Sequence, residues 1–136
     1  MEAIDAALRT AHVGHAMHVG LVHCRPATPL RTVARIMAAH RIHAVVVEDE
    51  VGGTAGVVSD LDLVQALADG NHNHLTAADA AATPLVTVAA AATLEHAAAL
   101  MAEARATHAL VLDHGGLPAG ILSMLDIAEV LASTDA

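Results

Sequence analysis

The sequence predicts an α+β fold of two equivalent repeats, each ordered strand, helix, strand, strand, helix, preceded by a short N-terminal helix. The first observation is a duplicated segment: residues 56–62, Gly-Val-Val-Ser-Asp-Leu-Asp, recur 64 positions later as residues 120–126, Gly-Ile-Leu-Ser-Met-Leu-Asp. The second is that the same offset relates other residues without a gap, such as Leu30 and Leu94. Because each repeat is small for an independent domain, we expect the two to pack through their sheets around a pseudo-twofold axis.

The first predicted element is an amphipathic helix over residues 2–11, and residues 13–17 add a further helical turn. The apolar face of the helix consists of Ile4, Ala7, Leu8 and Ala11. An apolar face of this kind needs burial. We therefore expect the helix to pack either against a second copy of the chain or back on its own module.

The first repeat opens with a brief predicted strand over residues 21–24. Turn residues follow, among which Thr28 is the expected N-cap and Pro29 the first helical residue. The helix then continues, with apolar residues at three- and four-residue spacing, to about His40.

Two apolar runs, residues 44–47 and 55–58, are predicted strands on either side of an acidic, glycine-rich hairpin. The helix after the second strand has the periodic apolar residues Leu63, Val64 and Leu67. The polar segment that follows is the only credible linker. The expected domains are therefore an N-terminal helix at 1–12, a first repeat at 13–70, a linker at 71–76 and a second repeat at 77–134.

Composition limits the classes of function. The net charge is −9 with six Arg and no Lys, which argues against nucleic acid or an anionic membrane as a partner. The single cysteine, Cys24, excludes an internal disulfide and fits a reducing compartment. Neither a signal peptide nor a membrane span is recognisable, so we expect a cytoplasmic protein. Hydrophobic residues make up 55% with no aromatics, so the core must consist of Val, Leu, Ile, Met and Ala.

The duplicated segment has two interpretations. Ser59 followed by Asp62, and Ser123 followed by Asp126, match a capping box in which the hydroxyl and the carboxylate pair with backbone N–H groups. The same groups also suit a ligand, because a helix N-terminus attracts phosphate and a carboxylate can accept from sugar hydroxyls. The duplication favours the ligand.

With these motifs in order, the chain resembles a tandem pair of CBS domains, the arrangement called a Bateman module. The resemblance covers residues 13–131. It is carried by Thr-Pro-Leu at 28–30, by Arg-Ile-His-Ala-Val-Val-Val at 41–47, by the acidic hairpin, and by Gly-h-h-Ser-x-x-Asp (h being apolar) in both repeats.

The family implies clefts between the repeats that bind adenosine-containing ligands such as AMP, ADP, ATP or S-adenosylmethionine, with no required cofactor. Asp62 and Asp126 would hold ribose hydroxyls, and Ser59 and Ser123 would lie near phosphate. The residues implied to line the clefts are Gly20, Leu21, Ile42, His43, Ala44, Ser59, Asp62, Pro84, Leu85, Thr107, His108, Ser123 and Asp126.

Within that set, adenine would lie against the backbone of residues 42–44 and 106–108. Gly20 and Leu21 would face Asp126, and Pro84 and Leu85 would face Asp62.

Charge favours some of these ligands over others. Polyphosphate prefers Arg or Lys, whereas this chain offers His43 and His108 beside the second strand of each repeat, helped by Arg41 and Arg105. We therefore expect AMP or S-adenosylmethionine ahead of ATP. Asp60 adds negative charge beside Ser59, which should disfavour phosphate more at Asp62 than at Asp126.

Other functions are weighed against this one. His12, His15 and His18, spaced three apart, are candidate zinc ligands of a stress-type CBS protein, although Gly14 interrupts the helix. Cys24 beside His23 lacks a third catalytic partner, so we expect no enzymatic activity. A ligand-free scaffold is the remaining alternative. In each case we expect a homodimer that acts on a protein partner the sequence does not identify.

Overall fold

The computed structural model describes residues 2–69, 74–81 and 84–133, so residues 71–73 of the expected linker lie outside the described part. The helices are α1 Glu2–Thr10, α2 Val13–Ala16, α3 Leu30–His40, α4 Asp60–Ala68, α5 Ala77–Ala80, α6 Leu94–Ala104 and α7 Met124–Ala132. The strands are β1 His23–Cys24, β2 Ala44–Glu48, β3 Thr54–Ser59, β4 Thr87–Ala89, β5 His108–Leu112 and β6 Pro118–Ser123. Within the described ranges, no helix is long and apolar enough to cross a membrane.

The strands form two three-stranded sheets of identical topology. In the first sheet β1 runs parallel to β2, and β2 runs antiparallel to β3. The second sheet repeats this order with β4, β5 and β6. Ala44 pairs with Ser59 in one sheet, and His108 pairs with Ser123 in the other. The α+β prediction of two equivalent repeats after a short N-terminal helix is therefore confirmed.

The chain divides into two compact units that do not coincide with the sequence repeats. One unit is Val22–Pro84, and the other joins Met1–Leu21 to Leu85–Ala136. We call them the first-sheet unit and the second-sheet unit. Residues 13–21 begin the first repeat but belong to the second-sheet unit, and residues 77–84 begin the second repeat but belong to the first-sheet unit. We call these two stretches the exchanged segments.

Backbone hydrogen bonds hold each of these exchanged segments. In the second-sheet unit, the N–H of Val13 donates to the Ala92 carbonyl at 2.9 Å. In the first-sheet unit, the N–H of Ala77 donates to the Thr28 carbonyl at 2.8 Å. Since both residues of one pair are 64 positions from those of the other, the exchange obeys the same repeat as the sequence.

The core of the first-sheet unit is aliphatic and includes Leu30, Val33, Val45 and Val58. Among the periodic apolar residues of α4, Leu63 packs against this core, together with Ala66. Val64 and Leu67 are 60% and 48% exposed.

In the second-sheet unit, α1 packs against α6 and α7, and its Leu8 reaches the core that contains Val13 and Leu94. Ala11, just beyond α1, packs there as well. Of the two expectations for the N-terminal helix, packing back on its own module is therefore the one observed. The side chain of Ile4 lies outside the described residues.

The two long helices begin differently. Pro29, not Thr28, is the N-cap of α3, because the Thr28 hydroxyl instead accepts from the N–H of Arg25 at 2.9 Å. In the second repeat the equivalent position is Thr93, whose hydroxyl accepts from the N–H of His96 at 3.2 Å. The second repeat thus has a side-chain cap at a position where the first has proline.

Candidate functional site

The duplicated segment forms the same strand-to-helix turn in both units. The last residue of β3, Ser59, caps α4, and the last residue of β6, Ser123, caps α7. We call residues 59–62 the first cap and residues 123–126 the second cap.

In the first cap, serine and aspartate pair reciprocally. The N–H of Ser59 donates to Asp62 Oδ2 at 2.9 Å, and the N–H of Asp62 donates to Ser59 Oγ at 3.1 Å. Ser59 and Asp62 are 3% and 2% exposed. The structure therefore contains the capping box that the sequence predicted, and it places an anionic group in the interior at the positive end of a helix.

The second cap repeats this geometry. The N–H of Ser123 donates to Asp126 Oδ2 at 2.8 Å, and the N–H of Asp126 donates to Ser123 Oγ at 3.2 Å. Asp126 is 2% exposed. The box uses only one carboxylate oxygen, Oδ2, so the other oxygen remains available for a different donor.

His18 lies against that oxygen. Its Nε2 lies 2.6 Å from Asp126 Oδ1, and its side chain is 74% exposed while that of Asp126 is 1% exposed. The backbone of His18 is tied to Ile121 of β6 by two hydrogen bonds of 2.9 Å. The imidazole therefore lies over a buried carboxylate, on a backbone that is fixed to the sheet.

A glycine permits this arrangement. A Cβ on Gly120 would stand 2.6 Å from the His18 carbonyl oxygen and 2.7 Å from Met17 Sδ. Both distances are far below an ordinary contact. The glycine that opens the duplicated motif is thus required where the exchanged segment approaches the strand.

The start of the second strand of each repeat lies beside the cap of that repeat. His43 accepts from the N–H of Asp60 at 2.9 Å through its carbonyl, and its Nδ1 lies 2.9 Å from Asp60 Oδ2. Thr107 likewise accepts from the N–H of Met124 at 3.1 Å through its carbonyl, and its hydroxyl lies 2.9 Å from His108 Nδ1. His43 and His108, which were expected to attract phosphate, therefore each have a polar neighbour at Nδ1.

The flanking members of the predicted set lie at the ends of the exchanged segments. Gly20 has φ of +82° and is exposed, two residues beyond His18, and Leu21 is half-buried. Pro84 is exposed at the end of the first-sheet unit, and Leu85 is 39% exposed at the start of the second-sheet unit's main segment.

Two arginines adopt an unusual backbone conformation. Arg41 has φ of +52° and Arg105 has φ of +54°, each directly after a long helix. Both side chains are exposed. The left-handed region is costly for residues other than glycine, so the structure keeps a strained arginine at the same place in both repeats.

The three histidines considered for zinc do not converge. The rings of His12 and His15 meet edge to face with centroids 5.9 Å apart, while His18 turns to Asp126. Among the described residues, no group of three or more His, Cys, Asp or Glu side chains is placed to hold a metal ion.

Cys24 lies in the core of the first-sheet unit and is 8% exposed. Burial raises the pKa of its thiol, because the thiolate would lose its hydration there. Its sequence neighbour His23 instead lies 3.8 Å from Glu48, Nε2 to Oε2.

Comparison with protein families gives one match, which covers most of the chain. The model of the CBS domain matches residues 13–69 and again residues 77–133. The chain belongs to the CBS-domain family. A comparison with curated protein sequences gives no match.

Solved structures of CBS-domain proteins have the same fold. An uncharacterised conserved protein from Pyrococcus horikoshii aligns with a TM-score of 0.81 at 21% identity, over 94% of this chain and 96% of that one. A CBS domain protein from Pyrobaculum aerophilum complexed with AMP aligns with a TM-score of 0.76 at 23% identity, over 91% and 100%. A CBS domain pair in complex with methylthioadenosine and S-adenosylmethionine aligns with a TM-score of 0.78 at 20% identity, over 90% and 96%. At these identities the likeness establishes the fold.

The sequence indicated His18 only as a candidate zinc ligand and did not predict its contact with Asp126. His18 lies two residues before Gly20, which the family resemblance places opposite Asp126, so the segment was identified but not the side chain. The sequence does contain one indication. The offset of 64 matches His18 with Ala82, so the two repeats differ there between a polar imidazole and a methyl group.

Proposed function

We propose that this CBS-domain protein is a regulatory module that binds an adenosine-containing ligand at its caps and signals by a change of conformation. The observation that carries the proposal is the duplicated cap, with a buried aspartate at a helix N-terminus in each unit. CBS-domain structures of the same fold that hold AMP, S-adenosylmethionine or methylthioadenosine support the choice of ligand class.

The chemistry of the caps suits a nucleoside. A carboxylate accepts two hydrogen bonds from the adjacent hydroxyls of a ribose, and a helix N-terminus favours a phosphate close to the serine. Asp62 and Asp126 are the proposed ribose acceptors, and Ser59 and Ser123 are the proposed neighbours of the phosphate. The aliphatic residues of the flanking strands suit the faces of a purine.

Charge favours AMP or S-adenosylmethionine over ATP. The chain has no lysine and a net charge of −9, so few cations are available to hold a polyphosphate. In the first cap, His43 is already paired with Asp60, which weakens its attraction for an added phosphate. Arg41 and Arg105 are two residues before His43 and Thr107, whose carbonyls accept hydrogen bonds from the caps.

Isothermal titration calorimetry with AMP, ATP and S-adenosylmethionine tests the proposal. We expect at least one of them to bind, and both Asp62→Ala and Asp126→Ala to weaken that binding. Glu129→Ala, an exposed change on α7, is the matched control and should leave the affinity unchanged. Failure of all three ligands to bind, or binding that neither aspartate affects, would refute the proposal.

We also propose that the module is a homodimer whose ligand-dependent conformation is recognised by a protein partner. The supporting observation is that the helix after each cap carries exposed apolar side chains. They are Leu61, Val64 and Leu67 on α4, and Met124 and Leu125 on α7. Exposed apolar side chains close together on one helix are typical of association surfaces.

Sedimentation equilibrium tests the dimer. The wild-type chain should sediment as a dimer, and Val64→Glu with Leu125→Glu should shift it to a monomer. Ala38→Glu, on the exposed face of α3, places the same charge elsewhere and should leave the dimer intact. A monomeric wild type contradicts the proposal, and a dimer without any ligand affinity favours the scaffold alternative.

A further inference from the structure

We propose that the imidazole of His18 is an internal occupant of the second cap, which competes with ligand for Asp126 and thereby lowers the affinity of that cap. The inference rests on the proposed function, since it concerns the oxygen of Asp126 that a ribose hydroxyl would use. It adds a specificity-determining residue that lies outside the duplicated motif.

The first step concerns the carboxylate itself. Asp126 Oδ2 is used by the N–H of Ser123 at 2.8 Å, and Oδ1 is used by His18 Nε2 at 2.6 Å. Only 1% of the Asp126 side chain is exposed. A ribose hydroxyl that approaches Oδ1 must therefore displace the imidazole nitrogen from that oxygen.

The second step concerns how easily His18 can leave. Its backbone is tied to Ile121 by reciprocal 2.9 Å hydrogen bonds, whereas its side chain is 74% exposed. Rotation about the side-chain bonds can move the ring into solvent without breaking those backbone bonds. The imidazole ring can consequently be displaced from Asp126. Because its backbone stays in place, the ring remains close to Asp126 and competes with a ligand at a high effective concentration.

The third step is the difference between the repeats. The residue at the position equivalent to His18 is Ala82, so the first repeat's aspartate has no imidazole from that position. The competition by His18 that we propose concerns Asp126. Charge alone favours phosphate at the second cap, because Met124 stands there in place of Asp60. Competition by His18 predicts that the second cap binds ligand more weakly than this difference in charge would give.

A double-mutant cycle followed by calorimetry with AMP and with S-adenosylmethionine tests the inference. In an Asp62→Ala background, which leaves the second cap to bind, adding His18→Ala should tighten binding roughly three- to tenfold, since the competing contact of a mostly exposed side chain is removed. In an Asp126→Ala background, His18→Ala should change nothing. His18→Gln, which keeps an N–H donor of similar reach, should retain most of the wild-type affinity.

The outcomes separate this inference from the proposed function. Binding that is unchanged or weakened by His18→Ala in the Asp62→Ala background would overturn the role of His18, while the proposed function stands. Tightening that persists in the Asp126→Ala background would also overturn it, because the effect would not act through Asp126. If no variant binds either ligand, both fail. Far-UV circular dichroism of each variant verifies that the fold is intact.

Discussion

Gly120 lies so close to His18 that a Cβ on residue 120 would stand 2.6 Å from the His18 carbonyl oxygen. The neighbouring residue Ile121 makes the two backbone hydrogen bonds that hold His18. Strand β6 therefore allows the close approach of the segment that contains His18 through Gly120, and it holds that segment through the hydrogen bonds of Ile121. Among the residues that the structure describes, a Cβ on the equivalent glycine, Gly56, would meet the Ala81 Cβ at 3.4 Å.

The close approach predicts a cost for substitution at Gly120. Gly120→Ala should lower the free energy of unfolding by about 1–3 kcal/mol, because backbone must shift to admit the methyl group. Urea titration followed by circular dichroism measures the loss, since the chain has no aromatic residue for intrinsic fluorescence. A variant as stable as the wild type would contradict the close approach.

The strained arginines predict an unusual gain of stability on substitution by glycine. Arg41→Gly and Arg105→Gly should each raise the free energy of unfolding by up to about 1 kcal/mol, because glycine adopts the left-handed conformation without steric cost. Arg35→Gly, within α3, should instead cost about 1 kcal/mol. Thermal denaturation shows whether each variant is more or less stable than the wild type. A loss of stability in all three would mean that the arginines make compensating interactions.

Much of the fold follows from the sequence because the repeat is exact in length. The strands, the hairpins and the helices after each cap lie where the offset of 64 and the apolar periodicity place them. Periodicity predicts α4 but not the exposure of Val64 and Leu67, since a helix that packs on one side only can leave apolar residues exposed. The pattern of apolar residues cannot tell which neighbour will cover them.

The candidate site was predictable in its local part only. Ser59 with Asp62, and Ser123 with Asp126, are three residues apart, so their pairing follows from capping chemistry. The contact from His18 to Asp126 depends on a segment that packs into the unit of the other repeat. No spacing along the chain encodes an exchange of this kind.

The capping serines predict a ligand-dependent effect as well as a structural one. Ser59→Ala and Ser123→Ala should each destabilise the fold by about 1 kcal/mol, because an N–H of the first helical turn loses its acceptor. If the serines also lie near phosphate, the same changes should weaken AMP more than adenosine. Paired calorimetric titrations measure this ratio, with Ser133→Ala at the end of α7 as the control. Equal losses for AMP and adenosine would place the phosphate elsewhere.

Cys24 predicts how stability depends on alkaline pH. Because burial raises the pKa of its thiol, the unfolded chain releases this proton before the folded chain does. The unfolded state then binds fewer protons, so the free energy of unfolding falls as pH rises. This contribution is fully present below the ordinary thiol pKa of about 8.5 and is lost progressively above it.

The composition makes that effect measurable. The chain has neither lysine nor tyrosine, so Cys24 is its only ordinary side chain that titrates between about pH 8 and about pH 10. Urea titrations across this interval should show stability that declines in the wild type and declines less in Cys24→Ala. The variant will be less stable at every pH because it loses core volume, so the slope against pH, rather than the absolute value, is the result that decides. Identical slopes would show that the thiol titrates alike in the folded and unfolded chains.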